Sequence, residues 1–225
     1  MSNVADSQKR ESHLKLKTDS GGEIMDCDHE VINSKYEAIN SNLERILGII
    51  YQSGHVEEYD YLIANPDLTR DPEYQRRYKC FWQMNRIGLS PEWLDLYFEM
   101  LQSNLKSPIG LGQVVDMLWQ RPATVNGRYR LDFSFATKLV HMADPHSPIY
   151  DKKVAGFYDF RPPDPNGIFS SRKEKLMGFY NCLKIEYKRV LEYGLLSPSI
   201  GQFRIRFSRK PTDEKVVDYL IWACM

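Results

Sequence analysis

The sequence predicts an all-α fold, one multi-helix globular domain over residues 31–225, and three observations carry that prediction. Apolar residues recur at three- and four-residue spacing along most of the chain. Helix starts recur as a capping residue followed by proline: Asp71-Pro72, Ser90-Pro91, Ser107-Pro108 and Ser197-Pro198. A side-chain oxygen there accepts a bond from an otherwise unpaired amide, and proline lacks the N–H that a first helical residue cannot use. Strand alternation is scarce. Only FRIRF at 203–207 shows period two, and five residues do not decide helix against strand.

Residues 1–30 are polar, charged and aperiodic, and are expected to form a disordered tail. From Tyr36, the residues Ile39, Leu43, Ile46, Leu47 and Ile50 share one helical face that Gly54 should end. His55–Ala64 reads as a short helix closed by Asn65-Pro66. Asp71-Pro72 leads into Tyr78, Phe81, Trp82 and Ile87, and Ser90-Pro91 into Trp93, Leu94, Tyr97 and Leu101. Ser107-Pro108 opens a helix through Trp119, and a loop with Pro122 and Gly127 follows. After the loop RPPDPNG at 161–167 comes a long helix from about Ser171 to Tyr193. Ser197-Pro198 restarts structure, and Pro211-Thr212-Asp213 caps a last helix through Trp222.

Apolar residues are 42% and charged residues 27% of 225, an ordinary globular composition. No apolar run reaches the roughly 18–20 residues of a membrane span, and the N-terminus lacks the apolar centre of a secretory signal. A cytoplasmic protein is therefore expected, nucleoid-associated or nuclear according to source. Cys27, Cys80, Cys182 and Cys224 form no CxxC pair, which argues against a zinc knuckle or disulfide scaffold and for buried reduced thiols. Net charge is zero but uneven: residues 161–210 hold eleven Lys/Arg against four acids, and 121–160 hold six against four. A basic second half suits a polyanion, most simply nucleic acid. FRIRF, if extended, would place Arg204 and Arg206 on one strip facing it.

The stretch SFATKLVHMADPHSPIYDKK at 134–153 is the most informative. Ser134 could cap a helix from about Phe135 to Met142, with Lys138 near its first turn. Asp144-Pro145 ends that helix, because proline disfavours helical geometry in the preceding residue. Asp151 then occupies the N-cap of a further helix. The first helix rises about 7–8 Å from Lys138 to Ala143, and the extended return can cover roughly 26 Å. Asp151 can therefore come back beside Lys138. A lysine at a helix N-terminus is disfavoured as a cation, which suits a nucleophilic amine beside a carboxylate.

Phe133-Ser134-Phe135-Ala136-Thr137-Lys138, an apolar helix, and Pro148-Ile149-Tyr150-Asp151 together resemble the helix–hairpin–helix DNA glycosylase superfamily. The resemblance spans about 50 residues, from Pro108 to Phe157. It implies that Lys138 is the nucleophile of a lyase-competent glycosylase and Asp151 the carboxylate that supports chemistry at the sugar. The sequence departs from the family in three ways. Ser134 and Ala136 replace the hairpin glycines, the lysine–aspartate interval is shorter, and the cluster-binding cysteines are absent, so no cofactor is expected. The partner would be double-stranded DNA, bound by a monomer. Phosphates would meet the backbone around Ser134, Phe135, Ala136 and Thr137 at a helix N-terminus. Arg128, Arg130, Lys152 and Lys153 would add charge. Trp119, Phe157 and Tyr158 are the nearest aromatics for a base pocket.

Two other readings are open. His141, Asp144, His146 and Asp151 are metal-ligand types, as a metal-dependent nuclease would need. A non-catalytic DNA-binding or interaction module on the same fold is the other. Gly110-Leu-Gly112 lacks the further glycine and lysine of a phosphate loop.

Overall fold

Among the described residues, side-chain caps start four helices, at Asp71, Ser90, Asp151 and Thr212, whereas Ser197 is the first residue of its helix and not its cap. In a computed structural model that describes residues 29–225 other than Ile87 and Lys210, the chain is all-helical. The order is α1 His29–Ser41, α2 Leu43–Ser53, α3 His55–Ala64, α4 Pro72–Phe81, α5 Pro91–Lys106, α6 Leu111–Trp119, α7 Phe133–Ala143, α8 Lys152–Phe157, α9 Phe169–Glu192, α10 Ser197–Arg206 and α11 Asp213–Cys224. Asp71 accepts the Tyr74 amide at 2.9 Å and Ser90 the Trp93 amide at 3.2 Å, each ahead of a proline at the helix start. Thr212 caps α11 in the same way, and Gly54 turns the chain from α2 to α3 with φ +64°.

Several expectations need correction. Residues 1–28 lie outside the described residues, but His29 and Glu30, assigned to the tail, already belong to α1. The Tyr36–Ile50 face is split between α1 and α2 at Asn42. The helix after Ser107-Pro108 begins only at Leu111, with Gly110 at its N-cap. FRIRF is helical, the end of α10: Phe203 and Phe207 are buried four residues apart while Ile205 is exposed. Cys80 is exposed rather than buried, whereas Cys182 is buried; Cys80, Cys182 and Cys224 are free.

Residues buried from Ile32 to Ala223 form one hydrophobic cluster. Two helices run through it. The helix α7 packs on α5 and α6, and α11 packs on α1, α2, α8, α9 and α10. Both are buried nearly all round, yet α7 carries Lys138 and His141 into the interior, and α11 carries Lys215 and Asp218. Burying ionisable groups is costly unless they are paired, so these four positions call for an explanation beyond packing. No helix among the described residues is long and apolar enough to cross a membrane.

Candidate active site

The helix α7 starts at Phe133, two residues earlier than a Ser134 cap would set it, with Asp132 at the N-cap. Lys138 is thus its sixth residue. The field of a helix N-terminus fades within the first turn, so it does not govern this amine. Burial does. Lys138 is 8% exposed, and desolvation lowers its pKa from 10.5 to about 8, against the opposing pull of Asp151 and Asp218 and with a small assist from Lys215. Its ammonium lies 5.0 Å from the Phe135 ring centroid and 5.4 Å from that of Trp82, and it donates to the Trp82 carbonyl at 3.4 Å.

Asp151 caps α8, accepting the Val154 amide on Oδ1 at 2.8 Å from an extended backbone. It is half-exposed. Lys138 and Asp151 both line a cavity of about 250 Å³. The return through Pro145 and Pro148 is held in place by Thr137, whose hydroxyl accepts the Tyr150 amide at 3.1 Å. His141 fixes the same return from below: its Nδ1 donates to the Ser147 carbonyl at 2.6 Å and its Nε2 accepts from the Tyr59 hydroxyl at 2.8 Å. Burial holds His141 neutral, with its pKa pushed down to about 3.

Much of the rest of the cavity comes from residues distant in sequence, which periodicity does not bring together. Trp82 and Phe81 arrive from the end of α4, His55 from the start of α3, and Lys215, Asp218, Tyr219 and Trp222 from α11. Lys215 is 2% exposed and pairs with Asp218 at 2.7 Å. Its ammonium is ringed by Tyr219, Tyr59, Trp82 and Phe81, with centroids at 4.4, 5.0, 5.1 and 5.9 Å. Burial raises the Asp218 carboxyl, opposed by Lys215. His55 lies 4.8 Å from the Trp222 ring, and burial lowers its pKa. The one sequence signal for this half was two charges three apart in the otherwise apolar KVVDYLIWA at 215–223.

The other expected residues are placed as follows. Lys152 is exposed at the cavity rim, and Lys153 is tied to Trp222, donating to its carbonyl at 2.8 Å. Arg128 is exposed, and Arg130 pairs with Asp132 at 2.8 Å. The phosphate grip expected of Ser134–Thr137 does not form as described. The amides of Phe135 and Ala136 are taken by the Asp132 carbonyl, and Phe135, Ala136 and Thr137 are buried. Arg204 and Arg206 make no shared strip: two residues apart on a helix, they point differently, to Asp213 at 2.6 Å and Glu44 at 3.2 Å. Phe157 and Tyr158 are core residues, and Trp119 stacks on Phe169 with centroids 4.4 Å apart.

His141, Asp144, His146 and Asp151 do not converge. His141 is used by Tyr59 and Ser147, and His146 faces Glu214 at 3.0 Å. Among the described residues no group of three His, Cys, Asp or Glu could hold a metal ion.

What converges is an amine that is partly neutral near physiological pH, two carboxyls of different surroundings, and aromatic walls. Compared with protein-family models, curated proteins and solved structures, the chain gives no significant match.

Proposed function

We propose that the protein is a DNA glycosylase that cleaves the N-glycosidic bond of a damaged or modified base extruded from duplex DNA. The observation that carries this reading is that Lys138 and Asp151 open into one cavity, with the lysine pKa lowered to about 8. The sequence resemblance supports it independently. So does the order of elements, since α6 and α7 pack together and are joined by a loop just ahead of the lysine.

The chemistry follows from these groups. A base inside a duplex is out of reach, so the nucleotide must be turned into the cavity, where Trp82, Trp222 and Tyr219 offer faces for stacking. The neutral Lys138 amine attacks the anomeric carbon, and Asp151 stabilises the positive charge that develops on the sugar and takes the proton the amine sheds. An imine to the opened sugar then permits elimination of the strand. Phosphate contacts fall to Arg128 at the loop and Lys152 at the rim rather than to the α7 amides.

The test is borohydride trapping on duplex DNA containing an abasic site. Wild-type protein should form a covalent adduct, and Lys138→Ala should not. Binding without an adduct at Lys138 would leave a non-catalytic DNA-binding module. No binding to DNA at all would remove the reading altogether.

A further inference from the structure

We propose that Asp218, held by Lys215 on the wall of the cavity that Lys138 also lines, carries the proton that the departing base takes with it. This rests on the glycosylase reading and adds to it a catalytic acid, Asp218, with Lys215 as its positioning residue.

The geometry separates this pair from an ordinary structural ion pair. Lys215 and Asp218 lie three apart on α11, so their contact ties no two elements together. Among the described residues neither side chain hydrogen-bonds to another helix. The similarly buried pair Glu186–Arg189 on α9 behaves differently. Arg189 donates to Asn33 at 2.9 Å, and Glu186 accepts from Tyr36 at 3.0 Å, locking α9 to α1. Among the described residues Lys215 meets other elements through the rings of Tyr59, Phe81 and Trp82, and a buried ion pair adds little to stability over apolar side chains of similar volume. Its presence in the cavity wall therefore asks for a chemical reason.

The two carboxyls of the cavity have different surroundings. Asp151 is half-exposed and has Oδ1 committed to the Val154 amide. Asp218 is buried, gives Oδ2 to Lys215, and has no partner for Oδ1 among the described residues. Burial favours its protonated form, and the adjacent ammonium opposes this. Two carboxyls held in unlike environments are suited to two roles, one as charge stabiliser and one as acid.

The step balances as follows. Lys138 Nζ forms a bond to the anomeric carbon with its lone pair. The bond from that carbon to the base breaks, and its electrons pass to the base nitrogen system. The Asp218 proton moves to the base, which leaves neutral. Lys138, now cationic, gives its extra proton to Asp151, and that proton passes through water to reprotonate Asp218.

Two reactions separate this role from support of Lys138. Base release needs the acid, whereas reaction with a site already lacking its base does not. Asp218→Asn keeps an acceptor for Lys215 but holds no acidic proton. It should be compared with wild type in single-turnover base release from duplexes carrying uracil, hypoxanthine, 8-oxoguanine or 7-methylguanine, and in borohydride trapping on abasic duplex. Base release should fall by about 100-fold, the usual contribution of a positioned acid, while trapping stays near wild type. Equal loss of both reactions, or loss of neither, overturns the proposal. The double variant Lys215→Met/Asp218→Leu should fold, trap and fail to release base; if it does not fold, the pair is structural and the proposal is wrong. A wild-type protein that neither traps nor releases any of these bases overturns the glycosylase reading itself.

Discussion

Lys138 and Lys215 share one indole: their ammonium nitrogens lie 5.4 and 5.1 Å from the centroid of the Trp82 ring. The ring quadrupole attracts both cations, which offsets part of their mutual repulsion. The same ring keeps water from Lys138. Trp82→Ala should hydrate the cavity and return the Lys138 pKa towards 10.5. The pH dependence of borohydride trapping should then move to the alkaline side by roughly one unit. An unmoved profile would show that Trp82 does not set the state of this amine.

Lys138 is held against its own preference. Its folded pKa, about 8, lies below the ordinary 10.5, so the unfolded chain binds more protons between these values. The penalty is complete below pH 8 and disappears as the pH rises towards 10.5. Lys138→Met, with an apolar chain of similar length, should therefore abolish trapping yet stabilise the protein by roughly 1–3 kcal/mol at pH 7. Thermal melts of both proteins at pH 7 and pH 10 check this. A destabilised Lys138→Met at pH 7 would mean that the lysine supports the fold.

Asp151 does two jobs that one substitution can separate. Asparagine caps a helix about as well as aspartate, so Asp151→Asn should melt near wild type and still bind abasic duplex. Base release should nearly vanish because the stabilising charge is gone. Loss of DNA binding in this variant would leave Asp151 as a cap alone.

His141 links acid stability to the site. Burial, helped by the nearby charge of Lys215 and opposed by the bond to the Ser147 carbonyl, holds it neutral with a pKa of about 3, against 6.5 when unfolded. The stability it contributes is present above pH 6.5 and is lost as the pH falls towards 3, at about 1.4 kcal/mol per unit. His141→Gln should flatten the fall in stability between pH 6 and 4 by about one proton. Denaturant titrations across that range measure the slope, and an unchanged slope would place the acid sensitivity elsewhere.

Lys152 stands exposed at the rim of the cavity. If it meets a phosphate, Lys152→Ala should weaken duplex binding regardless of sequence and reduce the slope of log affinity against log salt by about one. Arg204→Ala, removing a side chain already paired with Asp213, should leave that slope alone. Fluorescence anisotropy at several salt concentrations distinguishes the two.

Local chemistry made the all-α class, the start of α4 at Asp71-Pro72, the start of α5 at Ser90-Pro91, the turn at Gly54 and the Asp151 cap legible, because each depends on residues within four positions of one another. Lys138 and Asp151 were legible together because a single turn joins them. Their setting was not. Periodicity says that α7 and α11 are apolar, but not that both are enclosed on all sides, and a helix boundary moved from Ser134 to Asp132 takes Lys138 out of the dipole field and leaves burial to lower its pKa. FRIRF alternates in sequence yet is helical, because packing of Phe203 and Phe207 outweighs a five-residue pattern.

By itself, then, the sequence determined which segments are helical and which amine and carboxyl lie close along the chain. Only the tertiary structure decided that His55, Trp82, Lys215, Asp218 and Trp222 complete the cavity, since they come from three separate regions whose meeting depends on which faces pack. The physical reason is that capping and helical period act over a few residues, while desolvation and pairing of a buried charge depend on whatever the whole fold brings within a few ångströms of it.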